Sequence, residues 1–150
     1  MNAKEYLSQS YRLDNMISSN LKEIERLKDM AESVSGVSLD NDFVQASKNI
    51  EPYFVNCLSK IDFLKHFIDE EVSLLIELKK QIRDTILQLG NADERMVLMY
   101  RYIDNLTWEK IAEEMDADPK TVWRWHKSAL DHIVVPKNPI AIHHMTETPI

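Results

Sequence analysis

Apolar positions recur with a helical period through most of the chain. In residues 3–33, Ile17, Ile24 and Ala31 are spaced by sevens, and Tyr6, Leu13 and Leu27 fill the interleaved positions. Lys22, Glu23, Glu25 and Arg26 take the outer face. This heptad pattern predicts a long helix, with Asn20 as one polar residue in the seam that can fix register at some cost in stability. The period breaks at "SVSGVSLDND" (33–42), where Gly, Ser, Asp and Asn together read as a loop. A short apolar piece, "FVQASKNI", follows. Pro52 suits the first turn of the next helix, where its missing N–H would be unpaired anyway. From there to Leu89 no glycine or proline intervenes, and Ile61, Ile68, Leu75, Ile82 and Leu89 recur every seven residues with Leu64 and Leu78 between them. Such a helix reaches ~50 Å at 1.5 Å per residue. Two partners suit it equally: the N-terminal helix in an antiparallel hairpin, or a second chain across a dimer seam.

Shorter elements follow. Gly90 ends the long helix, and Asn91 with Glu94 resembles a capping box opening the next. That helix carries Met96, Tyr100 and Ile103 on one face, and "DNLT" closes it. Thr107 is a suitable N-cap for a helix from Trp108 to Met115, with Trp108, Ile111, Ala112 and Met115 on one side. Ala112 is small enough to admit a second helix. "DAD" is a turn, Asp118 a cap, and Pro119 the first position of the last helix. On a helical wheel Val122, His126, Ala129 and Ile133 cluster within about 60°, with Trp125 at their border, and Lys120, Arg124 and Lys127 cluster on the opposite side. Beyond Ile133, "VVPKNPIAIHHMTETPI" has three prolines and no period, which predicts an extended, mobile tail over 135–150. The expected organisation is all-α: a long helical hairpin or coiled-coil-like oligomerisation region (1–90), a helix-turn-helix unit (91–134) and the tail.

Composition narrows the function. The 150 residues are 44% hydrophobic and 29% charged, and the two glycines, Gly36 and Gly90, are too few for a turn-rich β fold. No apolar run approaches a membrane span and the N-terminus lacks a signal-peptide core, so a cytoplasmic location is expected. Cys57, the only cysteine, shares a helical face with Ile61 and Leu64 and reads as a buried thiol. His143 and His144 have no spaced partner for a metal site. There is no glycine-rich phosphate loop, metal spacing or nucleophile–histidine context, so neither an enzyme nor a cofactor is expected.

A net charge of −7 excludes a general polyanion binder. A basic stripe on one short helix, with Asp118 at the cap and Asp131 on the stripe only at its far end, then calls for an explanation. Carboxylates facing DNA phosphates would repel at close range, where screening is weak. In a helix-turn-helix the second helix enters the major groove. Lys120 and Arg124 are the base or phosphate contacts, and Lys127 is a phosphate ligand. Thr121 suits a thymine methyl or a phosphate. Trp123 either packs on the sugar-phosphate chain or is buried against Leu130, and Ser128 is counted with the contact set. The bland alternative is a three-helix unit with a solvated basic face.

These residues carry a resemblance. "NADERMVLMYRYIDNLTWEKIAEEMDADPKTVWRWHKSALDHI" resembles region four of bacterial sigma factors, with Tyr102 before the turn, "LTWEKIAEEM" as first helix and "KTVWRWHKSAL" as recognition helix. Asp116 stands where that family usually has a turn glycine. With "MNAKEYLSQSYRLDNMI" at the start, a long central helix and "ALDHIVVP" after the motif, the whole chain is similar to phage and prophage proteins of Gram-positive bacteria, of the RinA and ArpU late-regulator type. The resemblance implies a DNA-binding regulator of phage late operons that binds double-stranded DNA as a homodimer or higher oligomer. No sigma region two or three appears, so a complete sigma factor is not expected. Two further functions compete. One is a packaging protein of small-terminase type, which would form a ring. The other is a module that contacts RNA polymerase without reading DNA, for which Lys120 and Arg124 would be dispensable.

Overall fold

The computed structural model describes residues 1–35 and 51–142. The apolar piece 43–50, most of the loop expected at 33–42, and His143 and His144 lie outside them. The described chain is all-α. Helix α1 is Ala3–Ser35, α2 Glu51–Ile86, α3 Ala92–Leu98, α4 Trp108–Glu114 and α5 Pro119–His132. A wider turn, Met99–Ile103, continues α3, and its Asp104 N–H reaches back five residues to Met99 O at 3.1 Å. Among the described residues no helix is long and apolar enough to cross a membrane.

Packing divides the chain into two compact units, residues 15–73 and residues 1–14 with 74–150, so the boundary expected at residue 90 is not where contacts separate. In the unit 15–73, Asn20 meets Glu71 while Ala31 packs with Phe54 and Cys57, so α1 and α2 run antiparallel there. Ile17, Ile24, Leu27, Ala31, Ile61 and Ile68 are buried, as the heptads require, and so is the Cys57 thiol. The seam holds an acid that the aliphatic pattern hid. Glu71 is 0% exposed, its Oε1 accepts from Asn20 Nδ2 at 2.7 Å, and its Oε2 has no partner. Burial raises its pKa, and the Asn20 bond opposes that in part. The polar residue expected in the seam therefore has a polar answer on the facing helix.

In the other unit Tyr6 donates its hydroxyl to Gln81 Oε1 at 2.8 Å and Lys79 Nζ lies 3.5 Å from Asp14, so α1 and α2 are antiparallel here too. Leu78, Ile82 and Ile86 are 0% exposed. Most of the aliphatic stripe of α2 is thus covered within one chain, while Leu64 and Leu75 stay half-buried. Ser10 Oγ donates to Tyr102 O at 2.7 Å, which fastens α1 to the wide turn.

Two local expectations change. The inward face of α3 and its extension is Glu94, Val97, Leu98 and Tyr102, while Met96 is exposed and Tyr100 and Ile103 are only half-buried. The wide turn advances the backbone by more than 3.6 residues per turn, so a regular wheel loses phase across it. The capping box is only half made at Asn91, whose side chain accepts from Asp93 N and Glu94 N, because Glu94 turns inward. A reciprocal box forms instead at the start of α1. Glu5 N donates to Asn2 Oδ1 at 2.8 Å and Asn2 N donates to Glu5 Oε2 at 3.0 Å.

The segment after Ile133 is extended, but through Ile142 it is not free. Gln9 Nε2 donates to Ile140 O at 2.9 Å and Gln9 Oε1 accepts from Ile142 N at 3.0 Å. Gln81 Oε1 accepts from Ile140 N at 2.9 Å and Gln81 Nε2 donates to Asn138 O at 3.1 Å. Ile142 is buried. Two glutamine amides serve the backbone that a neighbouring strand would otherwise serve. The mobile tail expected from residue 135 is corrected up to Ile142.

Candidate nucleic-acid interface

The turn between α4 and α5 is built from local hydrogen bonds. Thr107 Oγ1 accepts from Lys110 N at 3.2 Å and starts α4. At the other end Asp116 takes φ 47°, its N–H reaches Glu113 O at 3.2 Å, and Ala117 N–H reaches Ala112 O at 3.0 Å. This pair of reverse bonds, with Ala117 packed on the cluster that contains Ala112, is a Schellman ending. Its left-handed position normally favours glycine, and here Asp116 occupies it. Asp118 Oδ1 then accepts from Lys120 N at 2.8 Å, with Pro119 at the first helical position. Turn and cap together fix where α5 leaves α4.

The inner face of α5 is the one expected. Val122, His126, Ala129 and Ile133 are buried, and Trp125 is half-buried. Val122 joins Val97, Ile111 and Ala112 in one apolar cluster. Glu94, buried on α3, anchors the far half of the helix. Ser128 Oγ donates to Glu94 Oε1 at 2.6 Å, and His132 Nδ1 lies 3.0 Å from the same oxygen. Neither role was visible from α5 alone. The available signal was an acid in the first turn of α3 together with two polar residues four apart on α5.

The outer face brings together most of the expected contact residues. Lys120, Arg124 and Lys127 are exposed, and no ion pair engages them among the described residues. Thr121 is half-buried, with Arg124 Nη2 at 3.4 Å from its hydroxyl. Trp123 is 54% exposed and sits edge-on to Trp108 at 5.4 Å between centroids, so the burial against Leu130 that the sequence allowed is not how its ring is used. Ser128 is the exception, since its hydroxyl turns to α3.

Behind Trp123 lies an aromatic group. His126 contacts Trp108 at 4.6 Å and Tyr102 at 5.8 Å between ring centroids, and Tyr102 Oη is 2.7 Å from His126 Nε2. Burial foremost, and then the Lys4 and Arg101 charges, lower the His126 pKa to about 4. Burial raises that of Tyr102. At neutral pH the imidazole is therefore neutral and shares this hydrogen bond with the phenol. Arg101 lies over Trp108 at 4.5 Å and donates to Leu106 O at 3.0 Å. Among the described residues no three His, Cys, Asp or Glu side chains group to hold a metal ion.

Two helices joined by the four residues 115–118, the second buried on one side and basic on the other, define a helix-turn-helix unit. Residues 79–133 match the family described as "Sigma-70, region 4". The match covers somewhat more than a third of the chain and takes in the last turns of α2 together with α3, α4 and α5. The helix-turn-helix is thus similar to sigma region 4, a fold of DNA-binding, transcription-regulating type. No curated protein and no solved structure matches the chain.

Proposed function

We propose that the protein is a sequence-specific DNA-binding transcriptional regulator that docks α5 in the major groove. The observation that carries this reading is the outer face of α5, where Lys120, Arg124 and Lys127 stand exposed with no ion pair among the described residues, in a chain of net charge −7. The one acid on this stripe, Asp131, stands in the last turn, and a solvated structural face in an acidic protein has no reason to keep the earlier turns clear of carboxylates. The N-terminal half of α5 presents Lys120, Thr121 and Arg124, the positions that meet base edges in this motif. Trp123, beside them, offers an aromatic edge to the sugar-phosphate chain. The resemblance to phage late-gene regulators supports late phage operons as the target. A two-fold dimer would present two copies of α5 to paired half-sites.

Selection of duplexes from a random pool by the purified chain, followed by sequencing, tests the reading. One enriched motif is expected, repeated with two-fold symmetry if the protein is a dimer. Arg124→Ala should weaken the selected site by ~1–3 kcal/mol and relax preference at one base pair. Lys127→Ala should weaken all sequences alike. A pool that returns unenriched, or two variants that bind as the wild type does, removes groove docking.

A further inference from the structure

Beside α5 opens a cavity of about 190 Å³. Its walls come from places far apart in the sequence: Lys4 and Tyr11 on α1, Arg101 on the wide turn, and Trp108, Trp123 and His126 in the helix-turn-helix. No carboxylate lines it, although acids outnumber bases in the chain. The nearby acids are engaged elsewhere. Glu5, next to Lys4, is bonded to Asn2 in the cap of α1. Asp14 is bonded to Asn105 and paired with Lys79. Lys4 itself is exposed and has no ion pair among the described residues. Arg101 is held by Trp108 and Leu106 O, so its charge is fixed in place before any ligand arrives. Both cations lie near enough to His126 to oppose its protonation, so the cavity is electropositive as built. Trp123 belongs both to this cavity and to the exposed face of α5, so the two surfaces are continuous.

We propose that the cavity seats a backbone phosphate of the DNA bound by α5, with Lys4 of the N-terminal helix as its mobile ligand, Arg101 as its fixed charge, and the flanking sugar against Trp123. The inference rests on the DNA-binding reading above and extends the interface to the opposite end of the chain. A phosphate fits these walls better than a base does. Two converging cations suit a compact anion, and the imidazole nitrogen nearest Tyr102 is already taken. One more phosphate contact adds affinity without sequence preference and fixes the register of α5 on the duplex.

The test titrates the full chain against the selected duplex and an unrelated duplex at several salt concentrations, as wild type, Lys4→Gln, Lys4→Arg and Arg124→Ala. Lys4→Gln should weaken both duplexes by the same factor and reduce the slope of log affinity against log salt by ~0.9, and Lys4→Arg should restore both. Arg124→Ala should instead lose preference between the duplexes. A wild type that binds while Lys4→Gln keeps its affinity and slope overturns the phosphate site and leaves the DNA-binding reading standing. A wild type that retains neither duplex overturns both. If Lys4→Gln binds DNA normally but loses retention of purified RNA polymerase, the cavity takes an acidic protein segment and the phosphate assignment is wrong.

Discussion

His126 offers a direct test of the packing that supports α5. It is 3% exposed, and with Lys4 and Arg101 close by its pKa falls from 6.5 to about 4. In the unfolded chain the imidazole takes a proton near its ordinary value. Between those two values the unfolded state therefore holds more protons, so stability falls as pH falls. The contribution is fully present above about 6.5 and lost below about 4. Integrated from pH 7 to pH 4.5, the loss is about 2–3 kcal/mol, a large part of the stability of a small domain. Carboxylates titrate in the same range, so the comparison needs His126→Gln, which does not titrate and still offers Tyr102 an acceptor. The three tryptophans, Trp108, Trp123 and Trp125, all lie in one compact unit, so their fluorescence reports its unfolding alone. Urea unfolding at pH 7, 5.5 and 4.5 should show the wild type losing about 2–3 kcal/mol more than His126→Gln. Parallel losses in the two proteins would mean that the imidazole is not held neutral, and the aromatic group behind α5 would need another account.

Three more outcomes follow from the same unit. Ile111→Ala, at a site with 0% exposure in the cluster with Val97, Ala112 and Val122, should lower stability by ~2–5 kcal/mol in the fluorescence assay. At Asp116, which sits at φ 47°, valine should cost ~1–2 kcal/mol whereas glycine should be tolerated, as thermal midpoints would show. Gln81→Ala removes the partner of Tyr6, Asn138 and Ile140 at once, so brief proteolysis should cut between residues 136 and 142 far faster than in the wild type.

The parts legible in the sequence were those with local causes. Thr107, Asp118 and Pro119 announce the two helix starts through bonds only two or three residues long, and the opposed faces of α5 follow from its period. Positions that depend on remote partners were not legible. Ser128 reads as a surface hydroxyl until Glu94, 34 residues earlier, is seen to accept from it. Glu71 interrupts an aliphatic stripe and looks like an outer-face residue, yet Asn20 draws it into the seam. The wide turn at Met99–Ile103 also shifted the phase of its neighbours, and no glycine or proline marks it.

The strap from Asn138 to Ile142 has a consequence for biosynthesis. Gln9, buried near the start of the chain, finds its partners at Ile140 and Ile142, 131 and 133 residues later. At ~5–20 residues per second, roughly 7 to 27 s separate the synthesis of the two sides. During that interval the apolar face formed by Tyr6, Leu7 and Leu13 has left the ribosome while the last segment that closes its unit is still unmade. The antiparallel pair within residues 15–73 needs no such wait, because all of its contacts are encoded before the helix-turn-helix begins. The nascent chain thus acquires its helical pair first. The unit that bears α5 becomes complete only after Ile142 has been made, so a ribosome that stalls before it leaves the recognition helix on an unfinished support.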